Sequence, residues 1–195
     1  MNKYCDYFVE QLIKNRIIQR EDREIYLYGS KKILFSGVNY FFFLLIGGIL
    51  QVPFHALIFL LTFVPLRIHG GGIHAKSKMR CFIYSNIMAY LVLSSIKYCL
   101  GNFVKVILLI NVLAFFFLYT YIPINCSNDK RSKEEKSHFK KNFGYIIMIE
   151  NIATIIMILF NQTILSYTIQ VGILAENVLL LLGKINKLRF FNIIE

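Results

Sequence analysis

Ile33-Leu34-Phe35-Ser36-Gly37-Val38-Asn39-Tyr40-Phe41-Phe42-Phe43-Leu44-Leu45-Ile46-Gly47-Gly48-Ile49-Leu50 contains no charged side chain. At a rise of about 1.5 Å per residue, a helix of this length covers about 27 Å, enough to cross the hydrocarbon core of a bilayer. A helix is the form such a segment takes in lipid, because it satisfies its own backbone N–H and C=O groups. Five more apolar stretches follow, at roughly 52–68, 82–100, 103–122, 143–160 and 164–183. The 52–68 stretch is the weakest, being short and carrying Pro53, His55 and Pro65. It could instead pair with the first as a re-entrant hairpin through Gln51, which leaves four spans plus a hairpin as the alternative. The expected fold is an all-α integral membrane protein with about six transmembrane helices and an N-terminal amphipathic helix.

The composition agrees. Of the 195 residues, 56% are apolar, 15% aromatic and 17% charged, and the mean hydropathy is +0.56. Soluble domains carry about a quarter charged residues, so disorder, a collagen-like fibre and an ordinary soluble enzyme are excluded. A net charge of +11 would suggest nucleic acid in a soluble protein. Here the basic residues sit in short stretches between apolar blocks, so anionic lipid headgroups or an acidic substrate at the membrane surface are the better partners, and nucleic acid is not expected. Cys5, Cys81, Cys99 and Cys126 show neither metal-ribbon spacing nor disulfide density, and are taken as reduced thiols.

Residues 1–32 hold seven basic and five acidic residues, unlike a signal peptide. Tyr4, Cys5, Phe8, Val9, Leu12, Ile13 and Ile17 recur at helical spacing, which predicts an amphipathic segment lying on the bilayer or packed on the protein's own cytoplasmic face. Residues 33–183 form the expected polytopic membrane domain, and 184–195 a basic C-terminal tail. Lys and Arg number seven in the N-terminal segment, four in 67–81, six in 123–142 and three in 184–195, leaving only Lys97 and Lys105, which flank a Gly101–Asn102 turn. By the positive-inside rule, both termini and the 67–81 and 123–142 loops are cytoplasmic in a six-span, multi-pass arrangement. Neither an internal repeat nor the inverted symmetry of many transporters is visible.

The segment with the densest chemistry is Arg67-Ile68-His69-Gly70-Gly71-Gly72-Ile73-His74-Ala75-Lys76-Ser77-Lys78-Met79-Arg80-Cys81. Cys81 stands where the third span begins, so a helix N-terminus and Lys76, Lys78 and Arg80 would each favour its thiolate. A thiolate beside a histidine is the minimal nucleophile–base pair for attack on a peptide carbonyl. On one straight helix His74 and Cys81 would lie about 10.5 Å apart along the axis, so the chain must fold back between them. The glycines permit that, and their N–H groups offer a nest for an oxyanion. Read plainly, the same residues are a surface histidine, a small apolar filler and a loop hinge. A zinc site of His55, His69, His74 and Cys81 is a further alternative, although His-x₄-His lacks a carboxylate base between its histidines.

Arg67, Gly72, His74 and Cys81, spaced Arg-x₄-Gly-x-His-x₆-Cys on the first cytoplasmic loop of a six-span chain, resemble the accessory gene regulator protein B family. The N-terminal amphipathic segment and the late basic loop extend the resemblance over essentially the whole chain. It implies a bacterial cell-membrane cysteine endopeptidase, with Cys81 as nucleophile and His74 as general base and acid. Such an enzyme removes the C-terminal tail of a quorum-sensing autoinducer propeptide through a Cys thioester, and an internal thiol or hydroxyl of the peptide then closes a thiolactone or lactone ring. Arg67 and Gly72 are implied as supporting residues, and Lys130 and Arg131 as a basic pair that engages an acidic propeptide tail. No metal or other cofactor is implied. A homodimer is the expected assembly and would suit this reading and its alternatives alike.

Glu150 and Glu176 sit inside apolar blocks, as do Asn86, Asn111 and Asn151. Intramembrane carboxylates are costly and mark function by default. They support the competing class, a small transporter or peptide exporter, against interhelical hydrogen bonding as the plainer explanation.

Overall fold

The computed structural model describes residues 2–72, 77–98, 103–123 and 132–191. Its elements are α1 (Asn2–Lys14), α2 (Arg23–Ile49), α3 (Pro53–Gly70), α4 (Lys78–Lys97), α5 (Val104–Tyr119), α6 (Lys133–Leu159) and α7 (Thr163–Phe191), with a 3₁₀ turn at Arg20–Asp22. α2, α3, α4, α6 and α7 are long and apolar enough to cross a membrane, and α5 is a shorter apolar helix of 16 residues. The six apolar stretches thus each became a helix. α3 is continuous from Pro53 despite Pro65, and the turn before it closes through Gln51 at a φ of 63°. The Gly101–Asn102 turn lies outside the described residues.

Helix limits differ from the apolar limits where charged residues propagate the helix. α2 begins ten residues before Ile33, and α6 begins at Lys133 rather than near 143. The start of α6 is fixed by a capping box: Glu135 N–H donates to Ser132 Oγ at 3.1 Å, and Ser132 N–H donates to the Glu135 carboxylate at 2.8 Å. The second half of the expected 123–142 loop is therefore helix. Likewise Arg67–Gly70 end α3 and Lys78–Cys81 open α4, so the 67–81 connection narrows to 71–77.

Residues 1–42 form one compact unit. In it α1 buries Cys5 and Val9, while Tyr4, Tyr7 and Phe8 are exposed. Arg23 Nε donates to Glu10 at 2.8 Å and Arg23 Nη2 lies 3.4 Å from Asp6, tying α1 to the start of α2. An apolar cleft of about 580 Å³ runs between the two helices, lined by Tyr4, Cys5, Phe8, Ile25, Tyr26 and Ile33 among others.

Residues 43–195 form the second unit. Its hub is α7, which packs against α3, α4, α5 and α6. One cluster of buried residues, Leu66, Leu118, Ile122, Phe143, Ile147, Ile173 and Leu180, joins α3, α5, α6 and α7. Most other large apolar side chains on these helices face outward, as expected where the solvent is lipid. Two glycines allow close approach between helices: a Cβ at Gly47 would overlap Ala56, and one at Gly172 would sit 2.9 Å from Thr62 Cγ2.

Candidate active site

Contacts among the helices sort their ends. Gly70 meets Phe143, the His69 and Phe139 rings meet at a tilt with centroids 5.5 Å apart, and Gly72 approaches the Leu179 carbonyl. Lys184 Nζ sits 3.5 Å from the Tyr121 ring centroid, and Lys140 Nζ sits 4.7 Å from that of Tyr119. One end of the bundle therefore holds the C-terminal ends of α3 and α5, the first turns of α6 and the second half of α7. At the other end a cavity of about 240 Å³ is lined by Leu50, Gln51, Val52, His55, Ile164 and, from the end of α4, Ile96 and Lys97. The α4 axis from Lys97 back to Cys81 is about 24 Å long, which carries Cys81 to the end that holds Arg67.

Cys81 occupies the first turn of α4 and is half-buried. Ser77 caps that turn: its Oγ accepts from Arg80 N–H at 3.3 Å, and its carbonyl accepts from Cys81 N–H at 3.0 Å. The positive end of the α4 dipole thus lies beside the sulfur. His74, Lys130 and Arg131 lie outside the described residues.

Arg67 turns inward. Its Nη1 donates to the Gly71 carbonyl and lies 3.8 Å from Glu176 Oε1 on α7. The Glu176 side chain is 1% exposed, and neither of its oxygens accepts a hydrogen bond among the described residues. The glycine triplet is buried rather than solvated. A Cβ at Gly70 would stand 2.7 Å from Phe143 Cε2 and 3.0 Å from Glu176 Oε1. One at Gly72 would overlap the Arg67 guanidinium and come within 3.2 Å of the Leu179 carbonyl. Gly71 and Gly72 also have φ of 81° and 102°, angles that side chains resist. Gly71 N–H already donates to the Arg67 carbonyl, 3.3 Å away, closing α3. That amide belongs to the helix cap and not to an open oxyanion nest.

Sequence reasoning placed Glu176 in a transport alternative and missed its pairing with Arg67. The available signal was an intramembrane carboxylate and an arginine at a span end, each needing a charge partner. The other polar residues of the apolar blocks bond between helices. Asn111 Nδ2 donates to Gln170 O at 2.9 Å and to Gln170 Oε1 at 2.8 Å, while Gln170 Nε2 donates to Asn151 Oδ1 at 3.1 Å and to Thr154 Oγ1 at 2.9 Å. Asn177 Nδ2 donates to Asn111 Oδ1 at 3.1 Å, so one network links α5, α6 and α7. Asn86 Nδ2 instead donates to Phe82 O in its own helix. Glu150 Oε2, on α6, is buried without a hydrogen bond among the described residues.

His55 faces Thr168 across 3.1 Å, at the bundle end opposite Cys81, and therefore shares no site with it. His69 Nδ1 lies 2.8 Å from the Pro65 carbonyl. Among the described residues no three His, Cys, Asp or Glu side chains gather as metal ligands.

Comparison with known proteins places this architecture. The chain is 28% identical over 137 residues to an AgrB-like protein (number 2) of Clostridium perfringens strain 13, the match covering 66% of this chain and 64% of that relative. A relative from strain SM101 matches to the same extent. AgrB-like protein 1 of strain 13 is 27% identical over 182 residues, covering 92% of this chain and 95% of its own. The chain thus spans 64% of the first two relatives' length and nearly all of the third. No solved structure matches it. The profile of the family described as Accessory gene regulator B matches residues 5–181, and this multi-pass membrane chain belongs to that family.

Proposed function

We propose that the chain is a membrane cysteine endopeptidase that processes an accessory gene regulator quorum-sensing propeptide. The observation that carries this reading is the position of Cys81 in the first turn of α4, at the bundle end where Arg67 and Gly72 are packed, within Arg-x₄-Gly-x-His-x₆-Cys of an Accessory gene regulator B chain.

His74, three residues before the Ser77 cap, takes the proton of the Cys81 thiol. The thiolate attacks the carbonyl carbon that joins the propeptide's tail, the C–N bond breaks, and His74 returns the proton to the leaving amine. The product is a thioester on Cys81. An internal thiol or hydroxyl of the bound peptide then attacks the same carbonyl, breaks the C–S bond and closes the ring, and the released thiolate recovers a proton. A nucleophile held on the bound peptide outcompetes water through its high effective concentration, provided the site is sheltered. Lys130 and Arg131 bind the acidic tail, and the K/R distribution orients both termini to the cytoplasm of a bacterial cell. A homodimer is the expected assembly.

The test is mass spectrometry of a propeptide incubated with the protein in liposomes. Wild type yields the free tail and an acyl adduct at Cys81, while Cys81→Ala and His74→Ala yield neither. Equal cleavage by Cys81→Ala would overturn the mechanism.

A further inference from the structure

Arg67 Nη1 faces the Glu176 carboxyl at 3.8 Å, at the bundle end that holds the last turn of α3, and the geometry is that of a clamp. A buried ion pair adds little net stability, because desolvation offsets much of the attraction, and in some proteins such pairs serve to fix an arrangement. This pair is poorly suited to stability: the Nη1–Oε1 separation is 3.8 Å, and the Glu176 oxygens accept no hydrogen bond among the described residues. It is well suited to fixing position. The same guanidinium donates to Gly71 O and fills the space where Gly72 lacks a side chain. Gly70 and Gly72 in turn lie against Glu176 and the carbonyl of Leu179, one helical turn further along α7. The last turn of α3, with Gly70 and Gly72, is therefore docked on one face of α7, Gly70 directly against the carboxylate and Gly72 beneath the Arg67 guanidinium.

We infer that Glu176 is a positioning residue: through Arg67 it holds the Gly70–Gly72 segment in the register from which the chain continues toward Cys81. Its role is exercised through Arg67. This rests on the peptidase reading for its effect on rate, but the docking of residues 67–72 on α7 stands independently of it.

The experiment compares wild type, Glu176→Gln and Glu176→Asp in liposomes, by amide hydrogen exchange of peptides covering 67–72 and by steady-state cleavage of the propeptide. Glu176→Gln keeps size and shape but removes the carboxylate that faces Arg67. Exchange at 67–72 rises about tenfold or more while α5 and the middle of α6 keep wild-type protection. The kcat falls by roughly 100-fold with KM nearly unchanged, as expected when reacting groups shift by about 1 Å. Glu176→Asp, which keeps the charge, recovers part of both, and it serves as the main variant if Glu176→Gln does not fold. Wild-type exchange at 67–72 in both variants would overturn the inference. So would wild-type kcat in both. A wild-type protein that cleaves nothing would sink the peptidase reading alone, with the exchange arm still deciding the clamp.

Discussion

Replacing Gly70 with alanine tests how tightly the end of α3 is seated. The new Cβ would stand 2.7 Å from Phe143 Cε2 and 3.0 Å from Glu176 Oε1. Carbon atoms prefer a separation of about 3.5–4.0 Å, so the gap must open by about 1 Å. Phe143 cannot swing aside into solvent or lipid, because it is 1% exposed and packed with Leu66, Leu118, Ile147 and Leu180. Overpacking of this kind costs about 1–3 kcal/mol. Replacing a helix-terminal glycine returns at most about 1 kcal/mol, which leaves a net destabilisation of roughly 1–2 kcal/mol. The assay is reversible unfolding in detergent by SDS titration, with Gly48→Ala, which meets nothing within 4 Å, as control. Phe143→Leu should reopen the space, so the double variant Gly70→Ala/Phe143→Leu should be more stable than additivity predicts, by about 1 kcal/mol. Wild-type stability in Gly70→Ala, or strict additivity in the double variant, would refute the reasoning.

Two further outcomes follow from the bonds between helices. Gln170→Leu removes the side-chain bonds to Asn111, Asn151 and Thr154 and should cost about 1–3 kcal/mol in the same titration, since such bonds within membranes average somewhat under 1 kcal/mol each. His55→Ala removes the contact with Thr168 at the end away from Cys81. It should cost about 0.5–1 kcal/mol and leave propeptide cleavage within twofold of wild type, and a large loss of cleavage would contradict the separation of the two ends.

The apolar runs made six of the helices legible, because in lipid a long uncharged segment has few other conformations available. Their limits were less legible. Lys31 and Lys32 interrupt hydropathy without interrupting α2, and the Ser132–Glu135 capping box, readable as Ser-x-x-Glu, marks the start of α6 better than the hydropathy does. Of the candidate segment Arg67 to Cys81, the packing of Arg67 against Gly71 and Gly72 was within reach of local spacing, because those residues are close in the chain. The Arg67–Glu176 pair was not, since no periodicity connects α3 to α7. Nor was the confinement of the glycines: a triple glycine in sequence suggests freedom, whereas Gly70 and Gly72 serve close approach to Phe143, Glu176 and Arg67. The amides Asn111 and Asn151 fitted the plainer expectation, bonding between helices.

The central place of α7 has a consequence for biogenesis. It supplies the partners of His55, Arg67, Asn111, Asn151 and Thr154, all of which precede it in the chain. During synthesis α3 to α6 are inserted before those partners exist, so these side chains enter the bilayer with their bonds to α7 still unmade. The translocon or lipid headgroups must shelter them until α7 emerges and zips the preceding helices together. A ribosome stalled before Thr163 would therefore leave inserted but unassembled helices, exposed to membrane quality control. Arrival of the C-terminal helix turns a set of spans into a folded protein.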